Sequence, residues 1–178
     1  DYGIRTVGLP DIGALGVCFG KVVTLDSPKA RPPGQFSWEE TLWHELAHVY
    51  TLQMSNQRVP RWLTEGISEW EETHAGRDWG RRMEVEFAQA LESGKALKVK
   101  DLNDGFTNPE LISLAYYEAS ILVDHLAQTY GDAALRTLVR SFGRGIEMDA
   151  ALKEAYNATV EQIQTSFDAR LERQFGPI

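Results

Sequence analysis

Residues His44-Glu45-Leu46-Ala47-His48 constrain this chain more than any other run in it. Two imidazoles four positions apart share a face only if the backbone between them is helical. In that geometry both rings can point at one divalent metal. Glu45 lies beside the same face, in reach of a proton on an attacking water. The neighbours supply the helix. Ser37-Trp38-Glu39-Glu40 has the form of a capping box, with Ser37 as N-cap and Glu40 three residues on. No Gly or Pro follows until after Met54, and Leu42, Trp43, Leu46, Ala47, Val49 and Tyr50 form an apolar stripe with helical spacing. The acidic pair at the start suits the positive end of the helix dipole. The spacing predicts a buried helix over 38–54.

A catalytic zinc commonly takes three protein ligands and leaves one position open. The metzincin extension HExxHxxGxxH is excluded, because Thr51 and Met54 stand where its glycine and third histidine would fall. Carboxylates come next, in the run from Pro60 to Trp70. Pro60 or Thr64 opens a second helix, with Glu65 and Glu69 four apart on one face. Sixteen residues separate His48 from Glu65, enough for a short loop and a turn back over the first helix. By spacing alone the two glutamates are interchangeable. A third segment begins at Asn108-Pro109-Glu110, which opens a long helix ending near Tyr130-Gly131.

These segments carry a resemblance. Trp62-Leu63-Thr64-Glu65-Gly66-Ile67-Ser68 resembles the WLNEGFA-type segment that follows HELAH in gluzincin aminopeptidases. Tyr116-Tyr117-Glu118-Ala119-Ser120, with Leu126 after it, resembles their YxxGA…L segment. In motifs and spacing, residues 10–130 look like the bacterial peptidase MA-like domains, small gluzincins related to thermolysin. The resemblance implies one Zn²⁺ per chain held by His44, His48 and Glu65. It also implies that Glu69 turns a ligand histidine through a hydrogen bond, and that Tyr116 or its neighbour Tyr117 stabilises the oxyanion. Aligning on the small pair Ala119-Ser120 selects Tyr116, and the other reading is that both tyrosines pack in the core. Glu45 is then the general base of a peptidase acting on peptide or protein substrates, with water as nucleophile. In such domains a strand beside the active-site helix pairs with substrate, and Gly16 to Leu25 is the candidate by position, a plain structural strand being the other reading. The GxMEN sequence that grips a substrate N-terminus is absent, which argues against an aminopeptidase.

Periodicity places the rest. Residues 4–25 are β-like, with Ile4, Val7, Val17, Phe19, Val22, Val23 and Leu25 in short runs broken by glycines. Residues 27–34 hold three prolines and form a loop. Helices are predicted over 38–54, 62–74, 78–93, 109–130, 132–142, 147–155 and 160–174, the last opened by the capping box of Thr159 and Gln162. The expected architecture is α+β: a mainly helical, zincin-like single domain over 1–178, with a β-rich part (1–35) beside the active-site helix and a helical part (36–178).

The charge of −8 and the lack of a basic patch argue against nucleic acid as a partner. No stretch approaches the length of a membrane span. The opening Asp1-Tyr2-Gly3 reads as the start of a piece from a longer protein with further domains, and compartment is left open. Cys18, the single cysteine, forbids an internal disulfide and reads as a small buried hydrophobe. His74 and His125 have no partner at ligand spacing. Glu39, Glu40, Glu71 and Glu72 read as solvated helix charges. Arg77, Arg81 and Arg82 read the same way, with a substrate carboxylate as their alternative partner. The five tryptophans are expected to pack the two motif helices together, Trp62 being the one placed to line a cleft. Two other functions fit the residues: a metallohydrolase for non-peptide substrates, and an interaction module that holds zinc without turnover. Glu45 speaks against the second, since a purely structural zinc needs no general base.

Overall fold

The computed structural model describes residues 15–30, 32–34 and 36–176. The strand positions expected around Ile4 and Val7 lie outside the described residues. The fold is α+β, a small sheet beside a helical body. Strands β1 (Gly16–Phe19) and β2 (Val22–Leu25) form an antiparallel hairpin with Gly16 opposite Leu25 and Phe19 opposite Val22. Gly20 turns it with φ +65°, a conformation that favours a residue without Cβ. Both strands lie on α1 (Trp38–Met54). Seven more helices follow among the described residues: α2 (Arg61–Ala75), α3 (Glu84–Glu92), the single turn α4 (Leu102–Gly105), α5 (Ile112–Tyr130), α6 (Asp132–Gly143), α7 (Met148–Tyr156) and α8 (Val160–Phe175).

The core is built around α5. Its Ala115, Leu122, Val123 and Leu126 are fully buried, and Ile163, Phe167 and Leu171 of α8 join the same cluster. On α2, every residue from Trp62 to Glu69 is buried. Gly66 explains how the two helices approach so closely: a Cβ there would lie 2.7 Å from the Ala119 carbonyl oxygen. The helix that carries the carboxylates is thereby held against the centre of the molecule.

Several boundaries differ from expectation. Ser37 accepts from the Glu40 amide at 3.2 Å, but the Glu40 carboxylate accepts from the Gly80 amide at 2.8 Å, so the capping box is only half made. Gly80, with φ +84°, keeps residues 76–83 out of helix and delays α3 to Glu84. Asn108 accepts from the Glu110 amide in a local turn, so α5 starts at Ile112 rather than at Pro109. The turn α4 was not anticipated. Pro60, not Thr64, opens α2. Nor is α1 buried all round: Trp43, Leu46 and Tyr50 are exposed on one face, as is Trp38 at its start. Trp43 nevertheless lines one pocket together with Ile67 and Trp70 of α2. Trp62 is buried, Trp70 donates its indole N–H to Asp124, and Trp79 packs on Gly76. Cys18 is half-buried, with its thiol pushed up by burial and by the charge of Glu45.

Candidate metal centre

The site forms where α1 crosses α2. Capped by Ser37 and free of breakers, α1 carries His44 and His48 on the face turned to α2. Their Nε2 atoms lie 3.1 Å apart. Glu65, in the second turn of α2, sets Oε2 at 3.4 Å from His44 Nε2 and 3.2 Å from His48 Nε2. These three side chains form one of two clusters of metal-capable groups among the described residues; the other joins His44 to Glu69 and Glu72. Glu65 Oε2 is buried and makes no aligned hydrogen bond, whereas Oε1 accepts from Arg61 Nε at 3.3 Å. An orphaned carboxylate oxygen facing two imidazole nitrogens is costly unless a cation completes it. The donor set of two imidazoles and one carboxylate suits zinc.

Each imidazole is held from its other nitrogen. His44 Nδ1 lies 2.8 Å from Glu72 Oε1, and His48 Nδ1 lies 2.7 Å from Thr64 Oγ1. The residue expected to orient a histidine was Glu69, and here the structure differs. Glu69 Oε1 accepts from Arg81 Nε at 2.9 Å, while Glu72, read from sequence as a solvated charge, is buried against His44. The reason is helical phase: position 72 lies two turns beyond Glu65 on the same face of α2, so the two carboxylates meet opposite nitrogens of the one His44 ring. The spacing Glu65, Glu69, Glu72 could have revealed this, since i, i+4 and i+7 share one face. Nothing in the sequence singled out Thr64 for its hydroxyl.

The charges respond to this packing. Burial draws the His44 pKa down, but the neighbouring carboxylates of Glu65 and Glu72 outweigh it and hold the imidazole at about 10. A metal at Nε2 would displace that proton. Burial pushes Glu65 up, and the two histidines more than reverse this, leaving it well below the usual carboxylate range. Glu45 is buried, and burial raises its pKa against the lowering effect of both histidines. It lies under β1: a Cβ on Gly16 would meet Glu45 Oε1 at 2.8 Å. Burial likewise raises Glu69, although Arg81 opposes it.

Tyr116 and Tyr117 diverge. Tyr116 turns toward the site, its hydroxyl against Arg61 and Glu65 and its ring under the Arg81 guanidinium at 4.5 Å. Burial and the Glu65 charge raise its pKa to about 12. Tyr117 is buried in the core and packs on Phe87. Of the arginines noted in the sequence, Arg81 belongs to this cluster, and Arg82 pairs with Asp78 at the surface. His74 bonds the Trp70 carbonyl and His125 bonds Ser166, both outside the two clusters.

Residues 28–173 match the model of the peptidase MA superfamily. The chain belongs to that superfamily. The match spans the hairpin's exit, both site helices and all later helices up to the last turn of α8. No curated protein and no solved structure matches the chain. Membership in the peptidase MA superfamily thus comes with a donor set of metal-ligand type on α1 and α2. Among the described residues no helix is long and apolar enough to cross a membrane.

Proposed function

We propose that this member of the peptidase MA superfamily is a zinc-dependent peptidase of gluzincin type, hydrolysing peptide bonds with water as nucleophile. One Zn²⁺ per chain would be held by His44, His48 and Glu65. The observation that carries the reading is the buried Glu65 Oε2, without an aligned hydrogen bond, at 3.4 and 3.2 Å from the two imidazole nitrogens.

When bound, the metal supplies Lewis-acid polarisation of the scissile carbonyl and lowers the pKa of water. Glu45 accepts the proton of the attacking water on its carboxylate and returns it to the leaving amine. Its raised pKa brings it nearer the operating range of a general base. Tyr116 keeps its phenolic proton, with a pKa of about 12, and donates a hydrogen bond to the carbonyl oxygen as charge develops there. Glu72 holds His44 from behind. Glu69 anchors Arg81 over the Tyr116 ring, so its role is to position that tyrosine.

The test is elemental analysis of wild type, Glu45→Gln and Glu65→Gln, followed by hydrolysis of peptide, ester and amide panels. The expected result is one zinc per wild-type chain, lost in Glu65→Gln and retained in Glu45→Gln. Peptide hydrolysis should fall about 100-fold or more in Glu45→Gln. Wild type without stoichiometric metal would sink the reading. Zinc without turnover would leave an interaction module, and turnover confined to esters or non-peptide amides a different metallohydrolase.

A further inference from the structure

We propose that Thr51 and Thr64 form a hydroxyl relay that fixes the tautomer of His48 and so presents its Nε2 lone pair to the metal. The inference rests on the metal-centre reading above. Neither threonine touches the metal position. Both are positioning residues, and both are buried, at 5% and 8% exposure, away from competing water.

The relay follows from counting protons. His48 Nδ1 lies 2.7 Å from Thr64 Oγ1, and Thr64 Oγ1 lies 2.7 Å from Thr51 Oγ1. Thr51 Oγ1 also lies 3.1 Å from the Ala47 carbonyl oxygen and 3.2 Å from that of His48. Each hydroxyl has one proton, and a carbonyl only accepts. The Thr51 proton is therefore spent on the α1 carbonyls, as is common for a threonine inside a helix. Thr64 then donates to Thr51 Oγ1, and its lone pairs are left for His48. Nδ1 must be the donor to Thr64. Nε2 then keeps its lone pair, with His44 Nε2 at 3.1 Å placed to donate to it when no metal is bound. With the chain reversed, Thr64 would donate to Nδ1, the ring hydrogen would move to Nε2, and that nitrogen would be closed to a metal.

The two histidines thus reach one tautomer by unlike means. His44 donates to the carboxylate of Glu72, which adds charge as well as direction. His48 donates to a neutral hydroxyl whose orientation depends on a second one. Thr51, three residues beyond His48 on the same helix, closes the circuit back to α1. Thr64 does so from α2, next to Glu65. The relay therefore also registers the two site helices against each other.

The experiment compares wild type with Thr51→Val, Thr64→Val, Thr51→Ser and Thr64→Ser, each stripped of zinc and reloaded. Zinc dissociation constants come from chelator competition, and the His48 tautomer from ¹⁵N NMR of the ring in zinc-free and zinc-loaded protein. Wild type should show a protected Nδ1–H on His48. Thr51→Val should weaken zinc about tenfold or more and move the neutral ring toward the Nε2–H form, and Thr51→Ser should restore both. Wild-type affinity with an unchanged His48 spectrum in Thr51→Val would overturn the relay. Should a valine variant fail to fold, the wild-type spectrum still decides, because an Nε2–H tautomer there overturns it. Should wild type bind no zinc, the metal-centre reading falls, while the tautomer in the zinc-free protein still judges the relay.

Discussion

Glu118 sits in the middle of α5 at 1% exposure, and its carboxylate accepts a hydrogen bond from the Leu97 amide at 3.1 Å. Burial raises its pKa from 4.5 to about 8, against the lowering effects of that amide and of Lys98. A carboxyl with a folded pKa above its unfolded value binds more protons when folded. Its contribution to stability is full below pH 4.5 and is lost as pH rises through about 8. Glu118→Gln keeps an acceptor for Leu97 but cannot ionise. Urea unfolding at pH 5, 7 and 9 should show wild type losing on the order of a few kcal/mol relative to the variant across that range. Parallel slopes for the two proteins would refute the assignment. Gly16 makes a second prediction at this scale. An alanine there would drive a methyl into Glu45 and Thr41 at under 3 Å. Gly16→Ala should retain zinc yet lose about tenfold or more in kcat, since a displaced base can no longer meet its proton. Unchanged turnover with full zinc would show that the hairpin does not fix Glu45. Residue identities were the most legible part of the site. His44, Glu45 and His48 lie in a short motif whose spacing has one helical solution, whereas only the family resemblance separated Glu65 from Glu69. The spacing put Glu72 on the face of Glu65 and Glu69 but did not choose among them, and Thr64 was not legible, because both choices depend on how α1 crosses α2.

At the scale of elements, the helices with strong caps or breakers were read well. Those ended by tertiary contacts were not. Thr159 and Gln162 make both halves of their capping box, and α8 begins where expected. Residues 78–83, expected to be helical, are drawn off by Gly80 and Arg81, which reach Glu40 and Glu69 respectively. No local pattern encodes such long-range attachments. The α2–α5 contact is the element pairing that most directly supports the site. Gly66 follows Glu65, and the space a side chain would need is taken by the Ala119 backbone at 2.7 Å and the Val123 side chain at 3.0 Å. Gly66→Ala gains helix propensity of up to about 1 kcal/mol, but in a packed contact the clash should outweigh it. We expect a net destabilisation of about 1–3 kcal/mol by denaturant titration, with weaker zinc binding because Glu65 moves with the helix. A stabilised Gly66→Ala would mean that the two helices part more readily than their close approach implies.

At the scale of the molecule, the proposed zinc and the apolar core would stabilise different connections, and the difference can be measured. The core cluster gathers α2, α5, α6, α7 and α8 around Leu122, Leu126, Leu138, Leu152 and Phe167. The metal position joins α1 to α2 across residues 55–60, beside a hairpin with little core of its own. A ligand that binds only the folded state adds RT ln(1 + [L]/Kd), or about 2.7 kcal/mol at a hundredfold excess over Kd. Phe167 is 1% exposed and packs on His125, so Phe167→Ala should cost about 3–5 kcal/mol by leaving a cavity. Because Phe167 lies on α8 and shares no partner with His44, His48 or Glu65, the two effects should add. Zinc should raise the melting temperature of wild type and of Phe167→Ala by similar free energies, and should leave Glu65→Gln unmoved. A zinc effect that vanishes in Phe167→Ala would show that α8 and the metal site fold as one inseparable unit. An equal effect in Glu65→Gln would place the stabilising zinc somewhere other than between α1 and α2.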